Sequence, residues 1–433
     1  MRVSLMKLVI SVMIAACTAL FALPASAQDD APITYVVKKG DTLNSISDRY
    51  LTGSEAMAKV ALLNKVFRPR QMPIGKKLEL PRNLLRFEQV PLRVERFSGP
   101  VQVGGTQVEA GVILREGGVV NTGANGFVSF SSVRGSVVSL PSNSRARLKR
   151  ARLYALDNIL DVDFEVLGGR GEVTAPKLRG QERFKLRTPL AVTAVRGTQF
   201  RVAHDEVLGR SGTEVVEGEV AVSSGKNEEL ASAGFGIASG ANGLSGVEAL
   251  LPASEITNPG AIQTSELVAF AVTPPDGAVG YRTQIAREAG FLDVVAEQTE
   301  TSGEVSFKGL EDGRYYVRVR AISASGLEGL SENYSFRRKR LGVTPSVGTS
   351  PLADGFKFEW LTAGVGETYY AFQLWEKGSD AAPLLDEVGV SSKGLILTNL
   401  EPGIYQWRVA AMQAESDGLL KVWGPTQSLI VSE

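Results

Sequence analysis

The chain offers little of the side-chain chemistry on which nucleophilic or metal-dependent catalysis rests. His204 is the one histidine and Cys17 the one cysteine in 433 residues. A serine-histidine-aspartate triad must therefore use His204, which stands in Arg201-Val202-Ala203-His204-Asp205 with no Gly-x-Ser-x-Gly motif nearby. At the end of a strand-like run it reads as a surface histidine. Histidine-rich and thiolate metal sites are excluded, and no phosphate-cradling glycine loop follows a strand. A carboxylate pair of glycosidase type stays open, because its members can lie far apart in sequence. The densest basic run, Arg145, Arg147, Lys149, Arg150 and Arg152, has two readings. It grips phosphate or carboxylate groups, or it is the solvated face of a strand alternating with Ala146, Leu148, Ala151 and Leu153. No cofactor, no metal and no enzymatic activity are expected.

The elements around these residues divide the chain. Residues 1–27 carry Arg2 and Lys7, an apolar run from Leu8 to Leu23 and then Ala25-Ser26-Ala27, the order of a secretory signal peptide. Ile14-Ala15-Ala16-Cys17 offers a rival lipobox reading, although the residues after Cys17 stay apolar. Removing Arg2 and Lys7 leaves 45 basic against 47 acidic residues, a net charge of −2 that recruits neither nucleic acid nor anionic lipid. No later stretch approaches the ~20 apolar residues of a membrane span, and the predicted location is exported, periplasmic or attached to the cell wall. The length suits three or four domains.

Residues 33–81 read as a βααβ module. Thr34-Tyr35-Val36-Val37-Lys38 is a strand entering a turn at Gly40. Asp41 is placed to cap a helix whose apolar face is Leu43, Ile46 and Tyr50. A second helix begins after Ser54, buries Met57, Val60, Ala61 and Leu63, and ends at Asn64. Pro73-Ile74-Gly75 then turns into the strand Lys77-Leu78-Glu79-Leu80-Pro81.

These residues, Tyr35 to Leu43, Ile46, Tyr50, Leu63-Asn64, Ile74-Gly75 and Leu78 to Pro81, resemble the LysM family in order and spacing. The resemblance implies binding to N-acetylglucosamine-containing polymers, chiefly bacterial peptidoglycan, in a shallow groove between two loops. Carried over, the glycan-binding residues are Gly40, Asp41, Thr42 and Leu43 on one side and Met72, Pro73, Ile74 and Gly75 on the other. Exposed backbone groups suit an acetamide, and Leu43 and Ile74 suit its methyl group and the ring face. Gly40, Asp41 and Leu43 also have simpler duties in turn, cap and core. One shallow site should bind weakly without avidity.

After a connector at 82–92, residues 94–240 form a mainly β region of short apolar alternations divided by glycine turns. Phe184 to Val202, which contains Val195-Arg196-Gly197-Thr198, resembles the FecR family's periplasmic domain, together with Asn121 to Gly126 and Glu214 to Val222. That family includes iron-transport regulators that pass a periplasmic signal through a membrane helix to a cytoplasmic sigma factor. The corresponding cytoplasmic segment and helix are not seen in this sequence, so the resemblance implies a protein-interaction or sensing domain with an envelope partner. Gly197 has the plainer reading of a kink or bulge that Thr198 satisfies.

Glu228 to Gln263 closes this region and continues as a linker. Beyond it a repeat appears, Leu310-Glu311-Asp312-Gly313-Arg314-Tyr315 against Leu400-Glu401-Pro402-Gly403-Ile404-Tyr405. The copies, 264–340 and 341–433, resemble fibronectin type III domains, with Tyr315 and Tyr405 as corner tyrosines and Trp360, Trp407 and Trp423 as core or rim. Arg337-Arg338-Lys339-Arg340, at their junction, reads as a solvated linker. The fold class predicted is mainly β and multidomain. The function predicted is a non-enzymatic peptidoglycan-binding scaffold or adaptor, with a periplasmic sensory protein as the alternative.

Overall fold

A computed structural model describes residues 31–132, 135–175, 177–195, 197–378, 382–416 and 418–432. The signal-peptide reading of 1–27, with Cys17, lies outside the described residues, as does Arg196. The chain separates into two compact units.

The first unit runs up to Phe87 and includes Tyr154–Asn158. Its order is β1 (Ile33–Val36), α1 (Leu43–Tyr50), α2 (Ala56–Leu63) and β2 (Lys77–Leu80). The strands pair antiparallel, with Tyr35 opposite Leu78. Ile33, Tyr35, Val37, Leu43, Ile46 and Val60 are buried between ribbon and helices, as period-2 and period-3.6 patterns require when they share one core. The buried face of α2 is Ala56 and Val60, and Leu63 is 54% exposed rather than buried. Asn64 explains the difference. Its side chain bonds Glu79 N–H at 2.6 Å and Glu79 C=O at 2.9 Å, so an amide occupies the place against β2 that a leucine would fill. Residues 82–92 are structured, with a 3-10 turn at Arg82–Leu84 and a buried Leu85.

The second unit is mostly β. Its first part is a closed barrel of hydrogen-bonded strands ending with Gly243–Ala249. The strand Ile159–Thr174 organises it. Asp161–Glu165 pair parallel with Arg183–Arg187, while Gly169–Thr174 pair antiparallel with Gln199–His204. One strand thus serves two runs of neighbours, and Leu148, Val162, Phe164, Leu186, Phe200 and Val220 fill the core between them. The strand Arg145–Tyr154 buries Ala146, Leu148 and Ala151 while its cations face outward. Gly197 has φ +87°, and a Cβ there would stand 2.7 Å from Lys177 Cα. The following strand shifts register at Gln199/Phe200, so the backbone requires glycine. The buried Thr198 hydroxyl, however, has no hydrogen-bond partner among the described residues.

Two sandwiches follow. Each sets a three-stranded sheet, Glu255–Ile256, Val268–Thr273 and Glu304–Phe307 in the first, against a larger sheet centred on a long strand, Gly313–Ser323 or Gly403–Glu415. The corner is the same in both. Tyr315 donates its hydroxyl to Glu311 C=O at 3.1 Å and Tyr405 donates to Glu401 C=O at 2.8 Å. Trp360 and Trp407 are buried, the latter 4.8 Å from the Phe358 ring. Trp423 lies at the rim under the Arg408 guanidinium, 4.2 Å away.

The run Arg337–Arg340 is not a solvated linker. Arg338 is buried at the end of the strand Asn333–Arg338 and donates to Gln263 C=O at 2.9 Å and Ser265 C=O at 2.5 Å. Arg337 pairs with Glu415. Burying a guanidinium is tolerable where carbonyls saturate its fork of donors.

Candidate functional site

The sequence-predicted loops meet at one end of the β1/β2 ribbon. Val37 extends the ladder by accepting from Gly75 N–H at 2.8 Å and donating to Lys76 C=O at 2.9 Å. Residues 38–43 leave from that point and residues 72–75 arrive there. Leu43 N–H donates to Pro69 C=O at 2.8 Å, which fixes the mouth of α1 to the stretch leading into residues 72–75. Gly40 and Gly75 have φ +86° and +85°, with open space where a Cβ would stand. Their turns therefore ask for glycine on conformational grounds alone.

Gly40, Pro73, Ile74 and Gly75 are exposed, and Thr42 and Met72 are half-buried. Ile74 shows 68% of its surface. The N–H groups of Gly40 and Ile74 make no hydrogen bond among the described residues, which leaves two outward donors beside an apolar side chain. Leu43 takes the core duty rather than a place at the surface. It is fully buried, so its side chain belongs to the core and is not presented at the surface.

Asp41 does not cap α1. Thr42 does, in a reciprocal pair with Ser45: Ser45 N–H donates to Thr42 Oγ1 at 3.1 Å and Thr42 N–H to Ser45 Oγ at 3.0 Å. The Asp41 side chain turns back to the strand, accepting from Tyr35 Oη at 2.6 Å and Lys38 N–H at 2.7 Å, and it pairs with Arg49. Burial works to raise its pKa, but the bonds from Tyr35, Lys38 and Arg49 outweigh it and hold the carboxyl below its ordinary value. Burial, and then the bond to Asp41, push the Tyr35 phenol up to about 12.

His204 is buried, contrary to its surface reading, because it lies in a cross-strand pair with Ser211, Nδ1 to Oγ 2.9 Å. Asp205 accepts from Val207 and Leu208 N–H and so closes a turn instead of orienting the imidazole. The basic run is paired as well: Arg145 with Glu206, Arg147 and Lys149 with Glu165, Arg150 with Asp161, Arg152 with Glu116. A strand face neutralised in this way has little charge left for a polyanion. Among the described residues no group of three or more histidine, cysteine, aspartate or glutamate side chains could hold a metal. No helix among them is long and apolar enough to cross a membrane.

The fold and the paired loops define a mainly β, multidomain protein with a small mixed module at its N-terminal side. Residues 35–81 match the LysM domain model and residues 118–221 match the FecR protein model, so the chain carries a LysM and a FecR domain beside its sandwiches. Both families, like the fibronectin type III fold, are non-catalytic. Among solved structures, a candidate anti-sigma factor from Parabacteroides distasonis matches with 17% identity and a TM-score of 0.26, over 30% of this chain and 59% of that one. A two-domain fibronectin type III segment of chicken tenascin matches with 13% identity and a TM-score of 0.23, over 42% of this chain and 99% of that one. Fibronectin(III)-like modules of Clostridium thermocellum CbhA match with 12% identity and a TM-score of 0.21, over 41% and 94%. Likeness at these scores carries no argument about function. Among curated proteins none matches.

Proposed function

We propose that the protein is a non-enzymatic, peptidoglycan-binding scaffold of the bacterial envelope. The observation that carries this reading is the meeting of residues 38–43 and 72–75 at the Val37–Gly75 pair. Gly40 offers its unbonded N–H from one loop, whose backbone Asp41 and Thr42 fix through their own hydrogen bonds, and Met72, Pro73, Ile74 and Gly75 contribute backbone groups and apolar cover from the other. A neutral acetamido sugar suits such a site, since carbonyls and N–H groups can bond the acetamide while Ile74 covers its methyl. Leu43 supports the loop from beneath. The FecR domain and the sandwiches make the contacts to envelope proteins, and the location is periplasmic or wall-associated.

Amide hydrogen exchange of the full chain with a soluble N-acetylglucosamine oligomer tests the site. Added protection should fall on residues 38–43 and 72–76. Protection elsewhere, or none at saturating oligomer, contradicts the assignment. The FecR match supports a second reading, in which that domain receives a signal for a membrane partner. Crosslinking in cells that captures a partner only through 341–433 would count against it.

A further inference from the structure

Between the barrel and the first sandwich lies a cavity of about 340 Å³ whose lining includes Glu172, Arg201, Arg318, Arg320 and Phe291. Three guanidiniums there face one carboxylate. Around it five arginines are linked, Arg170, Arg201, Arg282, Arg318 and Arg320. They pair with four glutamates, Glu172, Glu214, Glu297 and Glu328, so one positive charge is in excess. A buried unpaired charge is costly, and an excess beside a cavity invites an anion.

Arg318 lines the cavity with bonding capacity left. It is 7% exposed. Its Nε donates to Gln284 at 2.8 Å, its Nη2 donates to both Glu172 oxygens at 3.2 Å, and its face stacks on Phe291 at 4.1 Å. Nη1 makes no hydrogen bond among the described residues. Arg320 spends Nη1 on Glu172 and Glu328 and Nη2 on Glu172, and leaves Nε without a partner. Burial and the neighbouring Arg320 both oppose the Arg318 charge.

Phe291 adds a second observation. It has φ 54°, a left-handed conformation that costs a bulky residue about 1–2 kcal/mol. The Glu288 carboxylate holds it there by accepting from the N–H groups of Gly290, Leu292 and Asp293. That strained loop carries the ring onto Arg318 and gives the cavity an apolar wall, to which Val137 and Leu292 also contribute. Strain maintained by its surroundings is characteristic of ligand clamps.

We propose that this cavity binds a small organic anion through a carboxylate or phosphate group, with Arg318 Nη1 as its principal donor and Phe291 against its apolar part. The volume sits at the small end of ligand pockets. Two probes separate the sources of the chemistry, inorganic phosphate and succinate, each titrated into the mature chain at constant ionic strength while the melting temperature is followed. At least one should give a saturable rise of about 4 °C, and which one responds identifies the anion. The rise should vanish in Arg318→Met. It should also vanish in Ser331→Leu, which fills the cavity from its partly buried lining and leaves every arginine in place; this variant decides the matter if circular dichroism shows Arg318→Met unfolded. No saturable rise with either probe overturns the proposal, and so does an undiminished rise in a folded variant.

Discussion

The Tyr35 hydroxyl donates to the Asp41 carboxylate at 2.6 Å, across the turn that joins the first strand to the first helix of the LysM domain. The same carboxylate takes Lys38 N–H and Arg49, so one acidic side chain fixes the geometry of the loop that carries Gly40 and Thr42. Asp41→Asn should lower the local stability of residues 33–81 by about 2 kcal/mol, the scale of hydrogen bonds to a charged group, and Tyr35→Phe by about 1 kcal/mol. Amide exchange of the full chain reads both.

The pair also predicts a pH window. Asp41 has its pKa lowered from 3.8, so its contribution is complete above that value and is lost as pH falls through the lower folded pKa. Tyr35 is raised from 10.0 to about 12, so its contribution is complete below pH 10 and is lost between about 10 and 12. Exchange protection of the module, corrected for intrinsic rates, should be level from pH 5 to 9 and fall on either side. Asp41→Asn should remove the acid limb.

Gly75 offers a backbone test of the proposed glycan site. Because open space surrounds its missing Cβ while φ is +85°, Gly75→Val strains only the turn, by about 1–2 kcal/mol. Gly75→Asn, which tolerates the left-handed region, should cost less. Affinity for an N-acetylglucosamine oligomer should fall in that order, and equal affinities would detach the turn from binding.

Glu328 joins the barrel to the first sandwich through Arg170, Arg282 and Arg320, and these guanidiniums hold its pKa well below the carboxylate range against the cost of burial. Removing one member of a buried network strands the others. Glu328→Gln should cost about 3–5 kcal/mol, seen as faster exchange in both Gln199–Asp205 and Gly313–Ser323. Loss confined to the sandwich would mean that the two parts are not energetically joined.

What the sequence revealed was local and periodic. Tyr315 and Tyr405 could be found because a repeat places them alike, and each bonds a carbonyl four residues upstream. Gly40 and Gly75 could be found because a tight turn demands their residue type. Asp41 was misread as a cap because Asp and Thr both cap helices, and only the direction of the side chain distinguishes Asp41 from Thr42. Leu63 follows the helical period, yet the Asn64 amide takes its place. Charge patterning misled most. Arg338 looked solvated although distant carbonyls bury it, and Arg201 bonds Glu328 C=O, 127 positions away. Pairings at that range leave no spacing signal along the chain.

If the LysM domain holds the protein on peptidoglycan, residues 33–81 are what retains it there. Sedimentation of the chain with purified sacculi, beside a variant lacking residues 33–81, separates retention by this domain from retention by the rest. The full chain should pellet with sacculi and the deletion should stay in the supernatant; equal pelleting of the two would rule out a wall anchor in this domain.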